Sequence, residues 1–242
     1  MNYKEKIYKN YGSLSSKNVP EKITYNFPRI PFFNHVIKNF FPNNKKIKII
    51  DLGCGFGDFV WLMQKKGYQD VIGVDNSLGM IKEGQRLNIK NLIKENVFSY
   101  IKKTPSNSVD IITAIDLIEH IDKENLSMLV SEIHRVLKYH GKFISHQPNG
   151  ASPFVNTVLY GDFTHEQAFT KGSISQLFLS NGFEDIETFE VKPIIHGFKS
   201  LFRHLLWSLI VKNILLLMSL PETGVFNRKQ VLTRNFFAIC KK

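Results

Sequence analysis

Apolar residues along this chain fall into short blocks whose period changes. Lys48–Leu52, Val71–Val74, Val109–Ala114 and Gly141–His146 are rich in Ile, Val, Leu and Phe, and polar or glycine-bearing segments bound them. Runs of that length and composition predict strands buried on both faces. The stretches between them carry helical periods: residues 58–66, ended by Gly67, then Ser77–Asn88 and Leu126–Leu137. Asn91–Glu95 predicts one further short strand. Strand and helix alternate throughout, which predicts a parallel sheet with helices on both faces.

The two ends break this rhythm. Residues 1–27 are polar, with aromatics at Tyr3, Tyr8, Tyr11, Tyr25 and Phe27. Pro28 and Pro31 then open a helix through Phe41, stopped by Pro42. This lead-in can close over a ligand or pack on the sheet edge, and packing is the simpler reading. Downstream, residues 147–170 predict a long loop and Ser173–Ser180 a helix. Phe183–Val191 alternates as a strand, 194–220 is apolar and helical, and Val231–Cys240 alternates again. The expectation is one α/β domain over 1–242. Its parts are a lead-in (1–44), a core (45–146), and a region (147–242) holding the loop, the last strands and a helical insertion.

Composition fits that expectation. At 242 residues the chain can bury a full core. Two cysteines far apart, Cys54 and Cys240, suggest a reducing compartment without a disulfide framework. The first residues show no signal-peptide run, so a cytoplasmic location is expected. Charge is unevenly placed: residues 1–50 carry net +8, 51–191 net −5, and 192–242 net +8. A lysine-rich proteome explains this blandly. An anionic partner, whether a phosphorylated substrate, a membrane surface or a nucleic acid, explains it functionally.

Candidate chemistry enters at the first strand. Ile49-Ile50-Asp51-Leu52-Gly53-Cys54-Gly55-Phe56-Gly57-Asp58 takes a strand into a glycine loop and then a helix, and the second strand ends in Asp75. Glycines let the loop turn sharply and let a ligand lie on bare backbone. The helix opening near Asp58 points free N–H groups at that ligand. Asp75, one strand over, can accept hydrogen bonds from both hydroxyls of a ribose. Dinucleotide enzymes space their glycines as G-x-G-x-x-G around a pyrophosphate. Here the spacing is G-x-G-x-G, and Asp51 stands just before it. A carboxylate there repels a pyrophosphate and suits a cationic amine or sulfonium.

The pattern D-x-G-x-G-x-G, with an acid ending the second strand, resembles the class I S-adenosylmethionine-dependent methyltransferases. The resemblance implies a Rossmann-like, doubly wound, mostly parallel seven-stranded sheet whose last strand is antiparallel. It implies S-adenosyl-L-methionine as cofactor. Asp51, Gly53, Cys54, Gly55 and Gly57 would hold its methionine portion, Asp75 with Asn76 the ribose, and Asn96 with Val97 the adenine. Asn96-Val97-Phe98 and Ile101 resemble the family's D-x-F-x-x-L form.

Ala114-Ile115-Asp116-Leu117-Ile118-Glu119-His120-Ile121 resembles a D-V-I-E-H-I segment of a subgroup that includes ubiquinone-pathway enzymes. The resemblance turns the backbone near Ile115 and Asp116 toward the methionine end of the cofactor. Asp116, Glu119 and His120 have i, i+3, i+4 spacing, so one helical turn would gather them. Some relatives bind a divalent ion with a Glu-x-x-Glu-His version. The expectation here is a structural role, capping the following helix, and no metal.

The loop from His146 to Phe154, continuing through Tyr160-Gly161-Asp162-Phe163-Thr164-His165-Glu166, follows the fifth strand. In open parallel sheets ligands lie beyond the carboxyl ends of the strands. Methyl transfer to oxygen needs alignment and removal of a hydroxyl proton. His165, flanked by Asp162 and Glu166, is the first candidate base and His146 the second; the bland alternative is a histidine bonded to loop backbone. Gly161–Glu166 resembles methyltransferases encoded among bacterial surface-polysaccharide and lipopolysaccharide genes. So do His196-Gly197-Phe198-Lys199-Ser200, Leu206-Trp207, Glu222-Thr223-Gly224 and Leu232-Thr233-Arg234-Asn235. This resemblance implies a small-molecule acceptor, a sugar or phosphate-bearing glycan precursor.

The longest uninterrupted apolar-like stretch within 194–220, Leu205–Val211, is far short of the roughly 20 residues that span a bilayer, and Lys199, Arg203, His204 and Lys212 interrupt the rest. The segment can lie on a membrane surface, or bury itself against the sheet or a second subunit. Two other functions stay open. RNA methylation is favoured by the basic flanks, although no Asn-Pro-Pro-Tyr type motif or RNA-binding module is visible, so no nucleic-acid partner is expected. The other is a cofactor-binding protein without activity. Oligomeric state is not legible.

Overall fold

The computed structural model describes residues 19–242 together with Ile7; Tyr3, Tyr8 and Tyr11 of the expected lead-in lie outside the described residues. The chain runs α1 (Ile30–Phe40), β1 (Lys48–Leu52), α2 (Asp58–Lys65), β2 (Asp70–Asp75), α3 (Leu78–Arg86), β3 (Leu92–Lys94) and α4 (Val97–Lys103). β4 (Val109–Ile115), a 3₁₀ turn (Ile118–His120), α5 (Lys123–Val136) and β5 (Leu137–Pro148) follow. The remainder is α6 (Asn156–Leu159), α7 (Lys171–Ser180), β6 (Glu184–Glu190), α8 (Phe198–Leu206), a π turn (Trp207–Val211), α9 (Lys212–Thr223) and β7 (Asn235–Lys241).

The seven strands form one sheet in the order β3-β2-β1-β4-β5-β7-β6. All neighbours pair in parallel except β7, which is antiparallel to both β5 and β6. This is the doubly wound mixed sheet expected. Strand order reverses between β1 and β4, and that switch point is where open α/β sheets bind ligands.

Alternation along the strands supplies both cores. Ile49, Ile111, Ile144 and Phe237 face α1, α2 and α3. Ile50, Ile112, Phe143 and Phe236 face α4, α5 and α7. Phe33, Phe143, Phe178, Phe236 and Phe237 are almost wholly buried, and each such side chain stabilises by roughly 1.5–3 kcal/mol. The lead-in helix does not sit on the sheet edge. Its Phe32 stacks on Phe237, Phe33 packs at a tilt against Phe59, and Phe40 packs against both Phe189 and Phe237, so it covers one sheet face.

Element boundaries differ from expectation where tertiary bonds decide. β5 begins at Leu137 rather than Gly141, because Leu137 pairs with Val109 across a bulge. β7 begins at Asn235 rather than Val231, because Asn149 Nδ2 donates to the carbonyls of Val231 and Thr233 and holds that segment off the ladder. The cap of α5 is Asp122, which accepts the Asn125 N–H at 3.0 Å; none of Asp116, Glu119 and His120 fills that role.

Candidate active site

Three glycines carry the chain from β1 into α2, all at positive φ: 69° at Gly53, 56° at Gly55 and 86° at Gly57. That region penalises other L-residues. A Cβ on Gly57 would lie 2.8 Å from Leu92 Cδ2, whereas nothing stands within 4 Å of a Cβ on Gly55. The open space beside Gly55 belongs to a cavity of about 730 Å³, a size that accommodates a small-molecule ligand.

Carboxylates dominate its wall. Asp51, Asp58, Asp75 and Asp116 all line it, with Arg29 as the arginine among them. Asp51 is buried and accepts the Thr113 hydroxyl at 2.6 Å; Thr113 stands opposite it in the β1–β4 register. Burial pushes the Asp51 carboxyl up to about 7, although the Thr113 bond pulls the other way. Asp58 pairs with Arg29 at 3.1 Å, and Arg29 also reaches Asp116 at 3.8 Å. Asp75 accepts the Gly55 N–H at 2.8 Å with one oxygen and the Ser77 N–H at 2.7 Å with the other. Each oxygen keeps a second lone pair for a ribose hydroxyl. A wall of this charge disfavours a pyrophosphate and fits a cationic amine and sulfonium beside an adenosine.

Asn76, Asn96, Val97 and Cys54 line the same cavity. Asn96 has a structural task as well. Its Oδ1 caps α4, accepting N–H groups of Phe98 and Ser99 at 2.9 and 3.4 Å. Cys54 is buried, and burial together with the neighbouring aspartates pushes its thiol well up.

On the acceptor side, residues from two distant segments meet. Glu166 N–H donates to the Glu119 carbonyl at 2.8 Å, tying the long loop to the turn after β4. His120 and His165 then lie ring to ring, centroids 4.6 Å apart. His165 Nδ1–H donates to the Val158 carbonyl at 3.0 Å, which places its lone pair on Nε2. The Thr164 hydroxyl donates to Asp162 at 2.6 Å and so accepts from His120 Nδ1–H at 2.8 Å. Asp162 therefore orients His120 through Thr164 and does not contact the His165 ring. Burial would raise its pKa, but the two hydrogen bonds from Thr164 and the nearby charges of His120 and His165 bring it below the ordinary value.

The helical turn expected to gather Asp116, Glu119 and His120 is absent. Asp116 has φ 55° and turns toward His146, bonding its Nδ1 at 2.6 Å. Glu119 and His120 instead join His165; the ligand atoms of these three lie within 4.8 Å of one another. Glu119 is 1% exposed, and its Oε2 has no hydrogen-bond partner among the described residues. Burial, with repulsion from Asp116, raises its pKa far above the usual range. His146 is buried between Phe32 and Phe237 and does not line the cavity. Its Nδ1 is taken up by Asp116.

Phe27, Arg29 and Phe33 on the cavity wall were not foreseen from sequence. Nothing in their spacing marks them; Phe33 lies on α1, and Phe27 and Arg29 stand in the turn that leads into it.

Among curated proteins, an uncharacterised Haemophilus influenzae protein is 32% identical over 117 residues, 44% of each chain. This chain spans about half the length of the curated relatives it matches. Among solved structures, a methyltransferase of Archaeoglobus fulgidus described as SAM-dependent superposes with a TM-score of 0.69 at 21% identity, over 96% of this chain and 99% of that one. Phosphoethanolamine N-methyltransferase 2 of Haemonchus contortus, in complex with S-adenosyl-L-methionine, gives 0.60 at 19% identity, over 87% of this chain and 52% of that one. Likenesses at these identities speak for the fold. The family described as a methyltransferase domain matches residues 26–188, well over half the chain, so the chain belongs to that family.

Proposed function

We propose that the acceptor is a small molecule, a sugar or phosphate-bearing precursor of a cell-surface glycan, methylated on oxygen. The observation that carries this reading is the His120–His165 pair: His120 lines the cofactor cavity, and the loop after β5 sets His165 against it from behind, 4.6 Å ring to ring. The likeness of Gly161–Glu166 to methyltransferases of surface-polysaccharide genes supports the acceptor class.

Bound at the glycine loop, S-adenosylmethionine supplies an electrophilic methyl on a sulfonium. Asp51 and the loop hold the methionine end, and Asp75 with Asn76 the ribose. Asn96 and Val97 border the adenine, and Asp116, fixed by His146 and Arg29, shapes the side facing the acceptor. His165 Nε2 takes the acceptor hydroxyl proton, while Nδ1–H stays on the Val158 carbonyl.

A second reading of the same cluster rests on the orphaned Glu119 Oε2. A divalent cation held by Glu119, His120 and His165 would satisfy that oxygen and lower the hydroxyl's pKa directly. Turnover abolished by EDTA and restored by manganese assigns the cluster to a cation. Turnover unchanged in EDTA leaves His165 as the base.

Isotope-labelled methyl donor, offered with separate pools of sugars, sugar phosphates, nucleotide sugars and RNA, tests the acceptor class. Label is expected in a sugar or phosphate pool. Label in RNA alone refutes the proposal, and cofactor binding without label in any pool favours an inactive binder.

A further inference from the structure

α8, the π turn and α9 join end to end into a 26-residue helix, Phe198–Thr223, about 39 Å long. Only 6% of its most apolar 18-residue stretch is buried. It is therefore not the buried helix that one sequence reading allowed. Leu201, Phe202, Leu205, Leu206, Leu209, Ile210, Ile214, Leu217 and Met218 are all exposed, Leu209 and Met218 by 67% and 71%. They recur at steps of about four residues, slightly more than the α-helical period. The π turn takes more residues per turn and keeps the row in line. A continuous exposed apolar row of this length marks an interaction surface.

The opposite side is fixed to the domain. Leu216 is wholly buried, and Lys212 pairs with Glu190 at the end of β6 at 2.8 Å. By length and composition the helix could cross a bilayer. Crossing would strip Leu216 and the Lys212–Glu190 pair from the domain, so the anchored side holds it lengthwise against the protein.

Charge names the occupant. Lys199 and Arg203 stand beside the row at its start, and Arg228 and Lys229 follow its end; all four are exposed and none makes an ion pair with an acid among the described residues. The one acid in the helix is Glu222, in its last turn. Apolar residues flanked by unpaired cations match an anionic bilayer, whose surface attracts Lys and Arg while its interior takes the apolar side. β6 runs parallel to β1, β2 and β4, so the helix leaves the carboxyl end of the sheet, the end that carries the active site. The long loop at that end exposes Tyr160 and Phe163 by 79% and 82%.

We propose that Phe198–Thr223 lies flat on an anionic membrane surface, apolar row downward, with the active-site end of the sheet toward the bilayer. This proposal does not depend on the identity of the acceptor.

Co-sedimentation of the full chain with phosphatidylglycerol/phosphatidylcholine vesicles tests it, beside vesicles of phosphatidylcholine alone. Partitioning onto the anionic vesicles is expected. It should fall roughly tenfold or more in the double variant Lys199→Glu/Arg203→Glu, and likewise in Leu209→Glu/Met218→Glu. All four side chains are exposed, so both variants should keep the wild-type circular dichroism and cofactor affinity. No binding to anionic vesicles overturns the proposal, as does equal binding of wild type and both variants. A wild-type dimer that Leu209→Glu/Met218→Glu splits, with no vesicle binding, also overturns it and assigns the row to a second copy of the chain.

Discussion

Asp116, the residue after β4, and His146 on β5 meet carboxylate to imidazole at 2.6 Å. The bond holds Asp116 in a left-handed backbone conformation that few non-glycine residues adopt. Burial would raise the Asp116 pKa, but the His146 charge and hydrogen bond outweigh it and, with Arg29, bring it below the ordinary carboxylate value. A depressed folded-state pKa stabilises above the unfolded value, about 3.9, and that contribution is lost as pH falls through the folded value. Wild type should therefore melt above Asp116→Asn at pH 6, and the gap should close as pH falls below about 4. Thermal melts of the two proteins across that range check this; a gap that persists undiminished at low pH contradicts it.

Much of the fold was legible because its signals are local. The apolar runs at Lys48–Leu52 and Val109–Ala114, and the glycines after Asp51, state strand, turn and helix within a few residues of themselves. The candidate site was half legible for the same reason: Asp51, Gly55 and Asp75, which line one cavity, sit at the ends of adjacent strands. What was not legible depends on contacts across long separations. His165 meets His120 only because Glu166 binds the Glu119 carbonyl, and spacing alone had grouped Asp116 with Glu119 and His120 instead. Arg29 reaches Asp58 and Asp116 only through the packing of α1 on the sheet face.

Asp51 supplies a second pH dependence. Its folded pKa is about 7 without ligand. A cationic ligand stabilises the ionised form, so binding should draw that pKa down and release protons near neutrality. Affinity for S-adenosylmethionine should rise between pH 6 and pH 8 and flatten in Asp51→Asn. Calorimetry in buffers of different ionisation enthalpy measures the proton release; none in wild type at pH 6.5 would contradict this.

His165 is expected to carry proton removal. His165→Ala should lower kcat by about 10²–10⁴-fold with its acceptor. A drop under about fivefold in a folded variant removes it from the role. His146, 4% exposed and bonded to Asp116, is the poorer second candidate; should His146→Ala also keep its activity, catalysis would rest on alignment alone. A kcat loss in His165→Ala that accompanies lost manganese binding would move the residue from base to ligand.

The proposed function divides the site in two: cofactor on the glycine loop and β2, acceptor chemistry at the loop after β5. Titration calorimetry with S-adenosylhomocysteine on wild type, Asp75→Ala and His165→Ala tests it most directly. Asp75→Ala should bind at least tenfold more weakly, since each charge-assisted hydrogen bond to a ribose contributes roughly 1.5–3 kcal/mol. His165→Ala should bind within about twofold of wild type. Asp75→Ala binding as tightly as wild type, or His165→Ala losing the cofactor, would contradict it.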